Sequence, residues 1–303
     1  MFQYTSGYIL GYMPLSIGFG IFRLICYLPW TWLMAMGRAL GRLSMLVTPE
    51  RVRVTDINLR LCFPEMGAIS RERLVRQHFE AMGMGLMDVG LAWWASDAKL
   101  KPLLTVHGIE HAQQALQQGR GVLFLTAHFT SIEMSGRVLC DLCPLHPVYR
   151  PFQNPHMEDL VIRQRMLHTA GVPIPNHNMF QILRVLRKGE GIWFAPDQNF
   201  AHNGGVFSPF FGIAASTNTA TARFVRITNA AVVPFVMVRR TDAEGYDMLI
   251  EPALENFPGN SVQEDTDRIN TVIEQLVKKY PLQYLWSHRR FKNRPPGEAD
   301  LYQ

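Results

Sequence analysis

Val122-Leu123-Phe124-Leu125-Thr126-Ala127-His128-Phe129-Thr130-Ser131-Ile132-Glu133-Met134-Ser135-Gly136 is the stretch that decides the fold. An apolar run of strand length between Gly121 and a Thr/Ser cluster reads as a central strand covered on both faces. Its last residue then emerges at the carboxyl edge of a sheet, where open α/β folds hold their ligands. His128 titrates near neutrality, and Glu133, about one helical turn on, is close enough in sequence to fold back towards it. The pair reads as a catalytic core. The same letters also carry a purely structural meaning: Thr130 followed by Glu133 fits a capping box, hydroxyl to early helix amide and carboxylate back to the cap residue. The two readings are compatible, because a helix start beside His128 also offers free amides and a positive dipole end.

Working outward, strands and helices alternate. Ser70 to Trp94 reads as a helix with Leu74, His78, Met82 and Leu86 on one face, its Met82, Met84 and Met87 serving as core filler. Ile109 to Gln118 is a short helix stopped at Gly119, and Met179 to Arg187 another stopped at Gly189. Ile192 to Ala195 reads as a strand that ends in Pro196-Asp197-Gln198-Asn199. Thr217 to Ile227 reads helical, Ala231 to Val238 as a strand blemished by Pro234, and Met248 to Ile250 as another strand. Asp265 to Lys279 is an amphipathic helix with Ile269, Val272, Ile273, Leu276 and Val277 inward. Such alternation predicts an α/β fold, a mainly parallel mixed sheet layered with helices. No linker divides the chain after residue 100, so the expected units are an N-terminal anchor over 1–45 and a catalytic domain over 46–303.

At 303 residues and 48% hydrophobic content the chain has ample material for a core. Its net charge of +5 favours acidic partners: nucleic acid, anionic headgroups or an acidic carrier protein. Nucleic acid is disfavoured, because the basic residues are not interleaved with aromatics on a recognisable module. Four cysteines are too few for a disulfide framework in a chain this long, and Cys140-x-x-Cys143 lacks the second pair that a zinc site needs. No metal and no cofactor are expected.

The amino terminus is compositionally unlike the rest. Residues 1–22 carry no charge, and after Arg23 the next charge is Arg38. About 20 apolar residues can span a bilayer, and Tyr4, Tyr8, Tyr12, Trp30 and Trp32 are side chains favoured at membrane interfaces. No basic n-region precedes the run, so a cleaved signal peptide is not expected. Arg38, Arg42, Arg51, Arg53 and Arg60 then outnumber Glu50 and Asp56, which places the following domain on the cytoplasmic side. The competing reading is a buried helical hairpin.

Several chemistries lack their motifs: G-x-S-x-G, H-E-x-x-H, a Walker loop and a strand-borne G-x-G-x-x-G. What remains is a histidine with a carboxylate and no obvious protein nucleophile. That suits direct transfer, in which the histidine takes a proton from a substrate hydroxyl and the carboxylate fixes its tautomer.

His128-x-x-x-x-Glu133 after an apolar strand resembles the H-x4-D/E signature of the lysophospholipid and glycerolipid acyltransferases. Five further blocks resemble the late acyltransferases of lipid A biosynthesis, the lauroyl/myristoyl transferase family: Asn58 to Glu65, Val148 to Pro151 with Asn154-Pro155, Ala195 to Gln198, Pro209 to Gly212 with Ala214 to Thr217, and Tyr284 to Lys292. They cover nearly the whole chain in order.

The resemblance implies His128 as general base, Glu133 as its partner, an acyl-acyl carrier protein as donor, and the hydroxyl of a 3-hydroxyacyl chain on a Kdo-bearing lipid A precursor as acceptor. The product would be an acyloxyacyl ester, made on the cytoplasmic face of a bacterial inner membrane. Arg150, Asn154 and Asp197 are the candidate substrate-binding residues, with turn or surface roles as the competing accounts for each. Pro209-Phe210-Phe211 would line the acyl chain or belong to the core. Arg289, Arg290 and Lys292 form a solvated basic face or draw an acidic carrier. An acyltransferase acting on a lysophospholipid or mannoside lipid, and a non-catalytic lipid-binding paralogue, are the alternatives.

Overall fold

The computed structural model describes residues 17–169, 171–201 and 204–303. Most of the charge-free run, with Tyr4, Tyr8 and Tyr12, lies outside them. A helix over 17–25 (α1) leads into α2 (Trp30–Val47), α3 (Pro49–Cys62), α4 (Ala68–Trp94) and the single turn α5 (Asp97–Leu100). Strands and helices then alternate: β1 (Leu104–His107), α6 (Ile109–Gln117), β2 (Val122–Leu125), α7 (Ile132–Leu142), β3 (Leu145–Tyr149), α8 (Pro155–Met166), β4 (Ile174–Pro175), α9 (Met179–Arg187) and β5 (Gly191–Phe194). A hairpin, β6 (Gly205–Phe210) and β7 (Ile213–Asn218), precedes α10 (Ala220–Thr228), β8 (Ala231–Arg239), β9 (Tyr246–Ile250) and α11 (Val262–Lys279).

The main sheet has seven strands in the order β1-β9-β8-β2-β5-β3-β4. Strands β8, β2, β5, β3 and β4 run parallel; β9 runs antiparallel to β8, with β1 parallel to β9. This is the expected mixed, mainly parallel sheet. All four residues of β2 are buried, and alternate ones serve opposite cores. Leu123 and Leu125 pack with Ile182, Phe224 and Ile273 of α9, α10 and α11; Val122 and Phe124 pack with Met134, Val138 and Leu33 of α7 and α2. From β2 the chain passes to β3 on one side, while β8 lies on the other, so the strand order reverses at β2. That reversal opens the crevice in which a ligand can sit.

Pro234 interrupts nothing. It is the last residue of β8 paired with β2, opposite Leu125, and pairing with β9 begins one residue later at Phe235, so its missing N–H falls where one ladder hands over to the other. Two expectations change. Thr217 and Asn218 belong to β7 and not to a helix, which starts only at Ala220. Leu86 is 50% exposed: a four-residue step overshoots a 3.6-residue turn by about 40°, so the row that is buried at Leu74 has rotated outward three steps later.

Helices α2 and α4 cross at backbone contact. A Cβ on Gly41 would lie 2.1 Å from the Phe79 carbonyl oxygen, and one on Gly83 would lie 2.0 Å from that of Gly37. The N-terminal helices are thus fixed on α4, which carries one wall of the site. Among the described residues no helix is long and apolar enough to cross a membrane.

Candidate active site

Leu125 of β2 and Phe194 of β5 face each other in register. Three residues beyond each, His128 and Asp197 meet at the carboxyl edge: His128 Nδ1 is 2.7 Å from Asp197 Oδ1. The His128 backbone amide also donates to the same carboxylate, at 3.2 and 3.1 Å. Asp197 is 2% exposed, and its charge is close enough to buried Tyr284 to help raise the pKa of that phenol. A carboxylate this well supplied with donors stays ionised: burial alone would raise its pKa, but the His128 charge and hydrogen bonds hold it below the ordinary value. For His128, burial disfavours the imidazolium, yet Asp197 more than compensates and the pKa is raised. The His128 side chain keeps 30% of its surface exposed, so the ring presents Nε2 outward while Nδ1 is held.

The expected partner is not the observed one. Glu133 sits in the first turn of α7, where it is gripped by Arg165 of α8, Nε to Oε1 at 2.9 Å and Nη2 to Oε2 at 2.7 Å, and by Trp93 Nε1 at 2.9 Å. Burial would raise the Glu133 pKa; Arg165 and Trp93 bring it below the ordinary value. Glu133 is therefore a fixed anion joining the ends of α4, α7 and α8. The capping box does not form either, since the N-cap is Ser131, without a side-chain cap bond, and Thr130 Oγ1 accepts from Arg239 at 2.5 Å.

Arg239 holds the turn after His128 from behind. Its guanidinium donates to Thr130 Oγ1, Ser131 Oγ and the Ala81 carbonyl and pairs with buried Asp88, which also accepts from Tyr246 Oη at 2.5 Å. Gln283 completes the clamp, its carbonyl accepting from the Thr130 amide at 2.7 Å while its side chain bonds both backbone groups of Arg239. On the α4 side, a Cβ on Gly85 would come 2.4 Å from the Thr130 carbonyl oxygen, so only glycine permits this approach.

The other sequence candidates divide. Asn154 caps α8, accepting from the His156 and Met157 amides at 2.9 and 3.3 Å, which is the turn reading. Arg150 is exposed directly after β3, at the same sheet edge as His128. Phe210 is core, 1% exposed, and Phe211 packs on Phe63 and Trp286. Arg290 is no solvated cation: it is buried, with Nη1 on the Ser216 carbonyl and Nη2 on Thr217 Oγ1, both at 2.7 Å. Arg289 pairs with Glu50 at 2.6 Å. Burial pushes the free thiols of Cys140 and Cys143 up to about 11. A recess beside Glu133 is lined mainly by apolar surface of Trp93, Gly136, Cys140, Pro147, His168 and Trp193.

Tyr284 and Arg239 were missed as site residues. The first lay in a quoted block without an assigned role; the second ends a strand that runs on one residue past its expected limit at Val238, and nothing local marks it.

A histidine whose Nδ1 is held by an ionised carboxylate at the mouth of a parallel sheet has the geometry of a general base that can take a proton from an alcohol. The chain matches the bacterial lipid A biosynthesis acyltransferase family over residues 3–293. It belongs to that family and is an acyltransferase of lipid A biosynthesis. A lipid A biosynthesis palmitoleoyltransferase of Escherichia coli (strain K12) is 36% identical over 286 residues, covering 94% of this chain and 93% of that one. A lipid A biosynthesis lauroyltransferase of the same organism is 33% identical over 287 residues, covering 94% of each. In shape the chain is similar to the 1-acyl-sn-glycerophosphate acyltransferase of Thermotoga maritima, with a TM-score of 0.40 at 12% identity, covering 83% of this chain and 97% of that chain.

Proposed function

We propose that this chain transfers a fatty acyl group from an acyl-acyl carrier protein to the hydroxyl of a 3-hydroxyacyl chain on a Kdo-bearing lipid A precursor. The observation that carries the mechanism is the His128–Asp197 pair. With Nδ1–H held by Asp197, Nε2 is the unprotonated acceptor. It removes the acceptor hydroxyl proton as the oxygen attacks the thioester carbonyl, and Asp197 stabilises the imidazolium that forms. Collapse of the tetrahedral intermediate breaks the C–S bond. The imidazolium returns its proton to the departing thiolate, leaving an acyloxyacyl ester and a free carrier thiol. A positioned base of this kind supplies roughly 10²–10⁴ in rate.

Glu133 does not act on the imidazole in this reading. With Arg165 it forms an ion pair that holds one wall of the small apolar recess. Arg150, at the sheet edge and without an ion pair among the described residues, is the group for an acceptor phosphate.

Helices α1 and α2 rest in the membrane surface. Ile17, Ile21 and Leu24 on α1, with Tyr27 just beyond, and Trp32, Leu43 and Leu46 on α2 recur at helical spacing and are all exposed. Apolar stripes of this kind, with Arg38 and Arg42 beside them, suit an interfacial helix better than water. The domain then works at the cytoplasmic face of the inner membrane.

The test offers the full-length protein, in lipid–detergent micelles, acyl thioesters of carrier protein and of coenzyme A, against a lipid A precursor and a lysophospholipid. Carrier-dependent ester formation on the lipid A precursor is expected. Transfer only from the coenzyme A thioester to the lysophospholipid would overturn the reading.

A further inference from the structure

Helices α9 and α10 lie side by side on the sheet face opposite α2. Their sequences, Met179–Arg187 and Ala220–Thr228, contain four arginines and no carboxylate, and Lys188 follows α9 directly. Arg226 is taken by Asp265 at 2.6 Å. Arg184, Arg187, Lys188 and Arg223 stay exposed, with no ion pair among the described residues. Two of these four sit in the last turn of α9, where cations complement the helix dipole, but that accounts for neither Arg223 nor the absence of every acid from both helices.

The face is also apolar in places. Phe180, 78% exposed, precedes Arg184 and Arg187 at i+4 and i+7, and Ile227, 52% exposed, follows Arg223 at i+4. Residues at those spacings share one side of a helix. The result is a surface of cations interspersed with isolated large apolar groups, the complement of an acidic helix that shows a few apolar side chains of its own.

We propose that this α9–α10 face docks the acidic carrier protein that delivers the acyl group. The proposal rests on the carrier-dependent donor reading above. Position favours a soluble partner over the bilayer: the apolar stripes of α1 and α2 belong to the other side of the sheet, so a protein seated on the membrane through them turns α9 and α10 towards the cytoplasm. Helix α9 starts four residues past β4 at the carboxyl edge and runs back towards the amino edge, where Leu186 packs on Gly121 ahead of β2, so an acyl arm from a carrier docked on its last turn must run back along the helix, about 14 Å, to reach the edge that carries His128 and Asp197.

The experiment compares the full-length wild type with Arg184→Glu/Arg187→Glu and with Arg223→Glu, using an acyl-carrier thioester and the corresponding acyl-pantetheine thioester, and measures sedimentation with anionic vesicles in parallel. For the carrier substrate, kcat/KM is expected to fall about tenfold or more through KM, with a shallower salt dependence. The pantetheine thioester, which brings no protein to dock, loses much less, and vesicle binding is unchanged. Wild-type kinetics with the carrier substrate would overturn the docking face, as would equal losses on both thioesters. Loss of vesicle binding with carrier kinetics intact would reassign the face to anionic lipid. A wild type that ignores the carrier substrate altogether would instead overturn the donor reading itself.

Discussion

Arg165 holds both carboxylate oxygens of Glu133 across the gap between α8 and α7, at 2.9 and 2.7 Å. The residue that the linear pattern pairs with the histidine is thus committed to an arginine 32 positions further along. Both side chains are mostly buried, 12% and 18% exposed, so each depends on the other to be charged there.

Glu133→Gln leaves the Arg165 guanidinium buried without its counter-charge, and a loss of about 3 kcal/mol in stability is expected. Adding Arg165→Met to it should recover a large part, because the uncompensated charge is gone. The double-mutant cycle, read from urea unfolding midpoints at constant slope, checks this. Equal and additive losses from the two changes would show that the pair does not couple.

Arg239 reaches the turn after His128 at Thr130 Oγ1 and Ser131 Oγ and leans on Asp88. Arg239→Lys keeps a positive charge beside Asp88 but loses the planar fork that reaches Thr130 and Ser131 together. We expect a fall in kcat of roughly 10²-fold, the scale associated with a displacement of about 1 Å at a reacting centre, with KM for the thioester little changed. Steady-state kinetics together with a circular-dichroism melt separates this from simple unfolding. A variant that melts normally and turns over normally would show that the turn holds its shape without the clamp.

The exposed stripe of α2 gives a test of the membrane reading. Replacing Trp32, Leu43 and Leu46 by serine removes roughly 1.5–3 kcal/mol of apolar transfer energy per fully buried side chain. Binding to inner-membrane-like vesicles should fall by at least tenfold, while transfer to a detergent-dispersed acceptor persists. Vesicle sedimentation in parallel with a micellar assay reads both.

Much of this was legible from the chain. The burial of β2 and the limits of α9 follow from apolar runs bounded by glycine, and His128 and Asp197 each follow a strand ending, which is why both could be named. Their pairing was not legible. Glu133 is five residues from His128 and Asp197 is 69; proximity along the chain favoured the first, while the parallel register of β2 and β5 brings the second to the ring. The matched blocks also meet in space. Asn58 Nδ2 donates to the Trp286 and His288 carbonyls at 2.7 and 2.8 Å, and Arg290 closes on Ser216 and Thr217. A basic cluster such as Arg289-Arg290 reads as solvated because burial of its second member depends on a hairpin, β6–β7, that carries no strong local signal.

The pH dependence of Asp197→Asn tests the central claim most directly. In the wild type, a base must be unprotonated to act and Asp197 raises the His128 pKa, so kcat should climb with pH through a point above the ordinary histidine value of about 6.5. Asparagine keeps the shape but removes the anion. The acid limb should then move below that value as burial of the ring takes over, while kcat at the plateau falls by about 10²–10⁴. A variant with the wild-type plateau and an unmoved acid limb would contradict the assignment of His128 and Asp197 as base and orienting carboxylate.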